Sequence, residues 1–263
     1  PIEAAVERIT DEFGALFVIS AGNDYGDDTI NSPGSADSAL TVGAVDKSEN
    51  LAVFSSRGPR TSDGAIKPDI TGPGVDIVAA RSKDGYIGTP VGDSHVSLSG
   101  TSMAAPHVAG SAAILAQQHP TWTPAELKAA LMASAKPSPE AGIFGQGAGR
   151  VDIGRAVNQG VFTDPPSVSF GRQLWPHGDD TPDARTVTYR NTGTADVTLA
   201  LSLTGNLPAG LFSLSATSLT VPAGGTASVR LTSDTRANVP DGYQGGHLLA
   251  TAVDLRVVTP FAV

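Results

Sequence analysis

The sequence predicts an α/β layered domain with a mainly parallel sheet, followed by an all-β antiparallel sandwich. Three observations carry that expectation. Helical periods alternate with buried strand-like runs up to about residue 160, no helical period survives beyond it, and the change falls near Thr163-Asp164-Pro165-Pro166. The expected division is residues 1–162 and 163–263.

The elements follow in order. Ile2, Val6, Ile9 and Phe13 recur at helical spacing and Gly14 follows as a stop, so the chain opens inside an amphipathic helix. Nothing upstream caps it, and the last residues, Thr259-Pro260-Phe261-Ala262-Val263, are apolar, so the natural chain is expected to continue at both ends. Ala15 to Ile19 reads as a buried strand ending at the small-residue turn Ser20-Ala21-Gly22-Asn23. Leu40 to Val45 and Val75 to Ala80 read as further buried strands between loops rich in Gly, Pro, Ser and Asp. Thr101 to His119 is apolar on every side, which describes a central helix buried all round. Thr123 as N-cap, Pro124 at the first helical position and Glu126 three after the cap announce the next helix. Asp152 caps a short helix toward Val157 that Gly160 ends. In the second part, Val197, Leu199, Leu201 and Leu203 alternate with Thr198, Ala200 and Ser202. Val187 with Tyr189, and Val229 with Leu231, repeat that period between turns.

Composition narrows the function. The 263 residues are 40% hydrophobic, enough for a core, and no run approaches the roughly 20 apolar residues of a membrane span. A net charge of −9 sets nucleic acid aside as a partner, since phosphate binding rests on clustered Lys and Arg. With no cysteine, disulfides, thiolate metal sites and a cysteine nucleophile are excluded.

The chemistry concentrates in Ser99-Gly100-Thr101-Ser102-Met103-Ala104-Ala105-Pro106-His107-Val108-Ala109-Gly110, which places Ser102 between a glycine turn and the first turn of a helix. Backbone N–H groups there lack intrahelical partners and carry the positive end of the helix dipole, so they stabilise an oxyanion forming beside Ser102. Pro106 is expected to fall among those uncommitted positions. The bland alternative makes Thr101 and Ser102 ordinary N-caps.

The string GTSMAAPHVAG resembles the nucleophile motif of the subtilases, the subtilisin-like serine proteases. The resemblance continues in FVISAGN ending at Asn23, LTVGAVD from Leu40, FSSRGP from Phe54, KPDITGPGVDIVAA from Lys67, HPTWTPAELKAAL and GQGAGRVD. It covers nearly all of residues 1–162, the nucleophile-bearing part of such a catalytic domain. Residues 163–263 resemble, by pattern and order, the fibronectin-III-like domain that follows it in several larger subtilases.

The resemblance implies that Ser102 is the nucleophile and that the Asn23 side chain and the Ser102 N–H hold the oxyanion. It places Ser20, Ala21 and Gly22 in a wall of the substrate pocket, Asn31 at its far end, and Gly100 and Thr101 among the substrate-binding residues. The alternative for Asn23 is a loop residue satisfying its own turn. Neither of the family's earlier motifs, an aspartate and a HGTHVAG-like histidine segment, occurs before Asn23, and its substrate-binding SLG-like strand is absent too. The partners implied are a polypeptide substrate and a missing N-terminal part of the catalytic domain, without which this chain is expected to be inactive. Family analogy implies export or the cell surface. A subtilase scaffold without catalysis, acting as a binding or adhesion module, is the rival reading.

Internal histidines are poor substitutes for the missing base. His107 lies five positions after Ser102, roughly 140° around a helix. His95, with Asp93 two before it, sits in the strand leading to the nucleophile, and His119, His177 and His247 default to surface roles. The loop Asp24-Tyr25-Gly26-Asp27-Asp28 offers oxygens of the kind calcium takes, but lacks the spacing of a recognised calcium loop and reads as a solvated acidic loop. No metal ligand and no cofactor is assigned.

Overall fold

The computed structural model describes residues 1–237 and 239–263. Helix α1 (Ile2–Phe13) ends where Gly14 adopts a left-handed conformation, its N–H donating to the Thr10 carbonyl, and Val6 points into a small cluster with Ala36 and Ala39. Strands β1 (Val18–Ser20), β2 (Leu40–Val45) and β3 (Ile70–Pro73) form a parallel sheet with β2 in the middle. Every residue of β2 is buried, as an apolar run between two neighbours and under a helix requires.

The expected buried strand at Val75 to Ala80 is not part of that sheet. Strand β4 (Ile77–Ala80) pairs antiparallel with β6 (His95–Leu98), which also pairs with β5 (Thr89–Val91), and most of this second sheet faces solvent. The first domain is therefore mixed. Its central sheet is parallel, and a separate antiparallel sheet leads into the Ser99–Ser102 segment. An apolar run of four residues cannot reveal which face of it will be covered.

Helix α2 (Thr101–Gln118) lies against the parallel sheet through Ala104, Val108, Ala112 and Leu115. The expectation that it is buried all round is corrected: Ala109, Gly110, Ala113 and Ile114 form an exposed apolar side, with Ile114 48% exposed. Ala and Gly occupy all sides of this helix, so composition carried no signal for the side that meets the sheet. Helix α3 (Pro124–Ser134) begins with the expected capping box. Thr123 Oγ1 accepts from the Glu126 N–H and the Glu126 carboxylate accepts from the Thr123 N–H. Short helices α4 (Ile143–Gln146) and α5 (Ile153–Ala156) follow, the latter capped by Asp152.

The remaining strands build two facing sheets. One has the order β11-β13-β9-β7, from β7 (Val161–Asp164), β9 (Asp183–Asn191), β11 (Phe212–Leu214) and β13 (Thr226–Ser233). The other has the order β12-β10-β14-β15-β8, from β8 (Val168–Ser169), β10 (Val197–Thr204), β12 (Ser218–Val221), β14 (Gly245–Ala252) and β15 (Leu255–Ala262). All pairs are antiparallel except β8 with β15. Val187, Tyr189 and Leu231 of one sheet share a core with Leu199, Leu248 and Val257 of the other, the inward-facing alternation of a sandwich.

The same core cluster continues into the α/β part. Polar ties reinforce it: Arg256 Nη2 donates to the Ala135 carbonyl at 3.1 Å, and Arg190 pairs with Glu126. His247, expected at the surface, is buried and donates Nε2–H to the Gly147 carbonyl at 2.8 Å. Burial pushes its pKa below the ordinary histidine value.

Beneath the parallel sheet lies a buried charge cluster. Asp69 accepts from Lys67 at 2.7 Å and from Lys128 at 3.1 Å, and from the Thr41 N–H at 2.7 Å. Burial alone would raise the Asp69 pKa; the attraction of Lys128 and Lys67 outweighs it and holds the carboxyl below its usual range. Burial lowers the pKa of Lys67 to about 8. The two ammonium groups also donate to the Ala39 carbonyl, which ties β3 and α3 to the start of β2.

Candidate active site

Two chain segments meet at the candidate site: the turn that ends β1 and the turn that starts α2. The first is set by β2, since the Ala21 N–H donates to the Val42 carbonyl at 2.9 Å and Ser20 is in register with Val42. Gly22 then takes φ +111°, and a Cβ there would stand 2.8 Å from Ser56 Oγ, so the turn requires glycine. Ser56 stitches both sides of that turn, its N–H donating to the Gly22 carbonyl at 3.0 Å and its Oγ accepting from the Asp24 N–H at 3.1 Å.

The second segment is anchored by Gly100, whose N–H donates to the Gly74 carbonyl at 2.8 Å just beyond β3. Thr101 and Ser102 follow as the first two residues of α2. The Thr101 N–H donates to Asn23 Oδ1 at 2.9 Å and its hydroxyl lies 3.0 Å from the same oxygen; that hydroxyl also accepts from the Gly22 N–H at 3.2 Å. A backbone N–H only donates, so the atom facing it must be the amide oxygen, and this settles the orientation of the Asn23 amide. Its NH2 therefore points away from Thr101. A Cβ at Gly100 would come into ordinary contact with the Asn23 amide, 3.6 Å from Nδ2 and 3.8 Å from Oδ1.

Ser102 is exposed, at the second position of α2, where its own N–H has no intrahelical acceptor. Pro106, expected from sequence among the uncommitted first-turn positions, sits instead inside the helix as its sixth residue. It removes the donor that would reach the Ser102 carbonyl one turn earlier.

The structure thus brings Asn23, Gly22, Gly100, Thr101 and Ser102 together. The carbonyl oxygens of Ser20 and Asn31 both lie close to Gly34, where a Cβ would meet each at 3.2 Å. Ala21 is buried and Asn31 is exposed. Sequence reasoning missed Ser56, although it lies within the FSSRGP segment, because nothing in that string indicates which loop its hydroxyl will serve.

The internal histidines are directed elsewhere. His107 Nδ1 is 2.8 Å from the Met103 carbonyl of its own helix. His95 stands three strand residues before Leu98, roughly 10 Å along β6. Its Nδ1 faces Ser94 Oγ at 3.0 Å and not Asp93. His119 stacks on Trp122, and His177 Nδ1 pairs with Asp180 at 3.0 Å. In the acidic loop the Asp28 carboxylate accepts from the Tyr243 hydroxyl at 2.9 Å.

Residues 1–149 match the Subtilase family. The chain is 43% identical over 141 residues to serine protease AprX of Bacillus subtilis (strain 168), covering 49% of this chain and 31% of that protein. It is 33% identical over 229 residues to the minor extracellular protease Vpr of the same organism, covering 80% of this chain and 27% of that protein. Against subtilisin-like protease SBT1.7 of Arabidopsis thaliana the identity is 34% over 225 residues, covering 74% of this chain and 29% of that protein. The chain spans less than a third of each of these relatives. No helix among the described residues is long and apolar enough to cross a membrane.

Proposed function

Since the chain belongs to the subtilase family, we propose that it is the nucleophile-bearing part of a serine endopeptidase that hydrolyses polypeptides through an acyl-enzyme on Ser102. The catalytic part is the α/β region up to about residue 160 and the rest is a fibronectin-III-like β-sandwich; the boundary expected at 162/163 moves back because the first sandwich strand, β7, already pairs with β9 from Val161. Ser102 Oγ attacks the scissile carbonyl carbon while its proton passes to a base, and the carbonyl electron pair moves onto oxygen. The oxyanion is held by Asn23 Nδ2–H and the Ser102 N–H. Collapse expels the amine carrying that proton, and water then releases the acyl group by the same path.

The observation that carries this reading is the pair of Thr101 contacts on Asn23 Oδ1, at 2.9 and 3.0 Å, which turn the amide donor outward beside an exposed Ser102. A turn-satisfying asparagine would direct its amide to its own loop; this one is bound across 78 residues of sequence. Preorganised donors of this kind act where charge develops in the transition state.

The base and its orienting carboxylate come from outside this chain, as the family's upstream motifs imply. Two surfaces support an upstream part: β1 is an edge of the parallel sheet, and α2 exposes its apolar side at Ala109, Ala113 and Ile114. Alone, the chain has no detectable peptidase activity, because in subtilisin loss of the base costs about as much as loss of the whole triad, roughly 10⁶-fold. The similarity to Vpr, an extracellular protease, supports export of the whole protein.

Labelling with a fluorophosphonate, which reacts with activated serine nucleophiles, tests the reading on the whole protein, its Ser102→Ala variant and this chain alone. Labelling of the first only is expected. A whole protein that is folded and processed yet unreactive would make the chain a pseudoprotease scaffold serving as a binding module.

A further inference from the structure

The loop from Asp24 to Thr29 runs directly on from Asn23 toward Asn31, and its side chains Asp24, Tyr25, Asp27 and Asp28 are all exposed. Of its side chains only Thr29 is partly buried, its hydroxyl donating to the Gly26 carbonyl at 2.9 Å and accepting from the Arg57 N–H at 3.1 Å. The loop backbone is nonetheless in an uncommon conformation: Tyr25, Gly26 and Asp28 have φ of 57°, 73° and 57°, of which only the glycine adopts such values freely. Main-chain bonds tie it to the 54–58 segment, with Asp28 N–H donating to the Gly58 carbonyl at 3.3 Å and Thr29 N–H to the Arg57 carbonyl at 3.0 Å.

One side chain reaches this loop from the β-rich part. The Tyr243 hydroxyl donates to Asp28 Oδ2 at 2.9 Å across 215 residues of sequence. The ring of Tyr243 packs edge to face on Phe144, with centroids 5.3 Å apart, and the Phe144 carbonyl accepts from the Gly58 N–H at 2.9 Å. Behind Tyr243, Gln244 exchanges two main-chain bonds with Val263, 3.0 and 2.9 Å long, so the tyrosine stands on a sheet-like base. Tyr243 thus touches both ends of one structural unit: the loop that follows the oxyanion donor, and the buried aromatic beneath the segment that binds the loop.

We propose that Tyr243 is a positioning residue through which the β-rich part sets the conformation of the 24–29 loop, and with it the substrate-facing wall between Asn23 and Asn31. The proposal rests on the peptidase reading above. It gives the second domain a role in peptide binding without contact with the reacting atoms. Because the contact is a single hydrogen bond at a half-exposed tyrosine, its loss is worth a change of about two- to tenfold in affinity.

The test compares Tyr243→Phe, which removes the hydroxyl and keeps the stack on Phe144, with Asp28→Asn, whose amide oxygen still accepts from Tyr243 and whose backbone tolerates a left-handed conformation. Hydrogen exchange on this chain is expected to rise at the Asp28 and Thr29 amides in the phenylalanine variant alone, with β2 and α2 unchanged. In the whole protein, that variant is expected to raise KM for peptide substrates about two- to tenfold with kcat within twofold, and Asp28→Asn, which keeps the acceptor, to raise KM by less than the phenylalanine variant does. Unchanged exchange, or raised exchange with unchanged KM, overturns the proposal. Ser102→Ala run in parallel separates the two readings: if it still cleaves, the peptidase reading has failed, while the exchange measurement still decides whether Tyr243 holds the loop.

Discussion

The Thr101 N–H donates to Asn23 Oδ1 over 2.9 Å, so the residue preceding the candidate nucleophile dictates which end of the Asn23 amide faces outward. The Thr101 hydroxyl, 3.0 Å from the same oxygen, reinforces that choice and leaves the amide NH2 as an outward donor.

This relationship separates two substitutions at one position. Asn23→Ala is expected to lower turnover of the whole protein by about 10²- to 10³-fold, the loss that follows removal of the asparagine donor in subtilisin. Asn23→Asp keeps the acceptor for Thr101 and so keeps the fold, but replaces the donor by a negative charge. Its turnover should be no higher than that of the alanine variant, with an unchanged denaturant midpoint. Wild-type turnover in Asn23→Asp would remove Asn23 from the oxyanion site.

The Lys67–Asp69–Lys128 cluster predicts a large effect on stability. Asp69→Asn withdraws the one carboxylate between two buried ammonium groups, 2.7 and 3.1 Å away. Breaking a buried ion pair from one side costs about 3–5 kcal/mol. The denaturation midpoint of the variant should fall accordingly with little change in slope.

His247 makes the folded protein sensitive to acid. Its folded pKa lies below the ordinary 6.5, because burial disfavours the charged ring and nearby Arg256 repels it, against the opposing hydrogen bond to Gly147. The unfolded chain therefore binds this proton more readily. The stability contributed by the neutral ring is complete above pH 6.5 and is lost as pH falls through the folded pKa. His247→Gln keeps an N–H donor for the Gly147 carbonyl without a titrating ring. Unfolding free energies measured as the pH is lowered from about 7.5 through 6.5 and below should fall less steeply in the glutamine variant.

The exposed side of α2 predicts self-association of this chain in isolation. Ile114 is 48% exposed amid Ala109, Gly110 and Ala113. Light scattering should report species larger than a monomer at micromolar concentration, and Ile114→Glu should shift them toward monomer. A monomeric wild-type chain would count against an unsatisfied surface at α2.

Local rules read from sequence succeeded where the deciding partners are close in the chain. The Thr123–Glu126 capping box, the Gly14 stop and the Asp152 cap each involve residues within four positions of one another, so their geometry follows from the string alone. The fully buried β2 agrees with its uncharged, mainly apolar run, which leaves either face free to be covered. The same logic failed at Ile77–Ala80 and α2, where small apolar residues suit a covered or an uncovered surface alike. It failed at His247, whose polar ring is buried by a strand pairing and satisfied by Gly147, 100 residues away.

For the candidate site, the residue types and the local backbone follow from the string of residues alone: a serine two after a glycine at a helix start, and an asparagine directly after a glycine beyond a strand. Hydroxyl, amide and turn chemistry are properties of single residues and their neighbours. What those groups face follows from the packing of elements distant in the chain. Thr101 meets Asn23 because the parallel sheet carries the end of β1 to the start of α2. Tyr243 meets Asp28 because the sandwich packs on the α/β part through a shared core. Hydrogen bonds across 78 and 215 residues depend on how layers stack, and the periodicity of either strand records only which of its own faces is apolar.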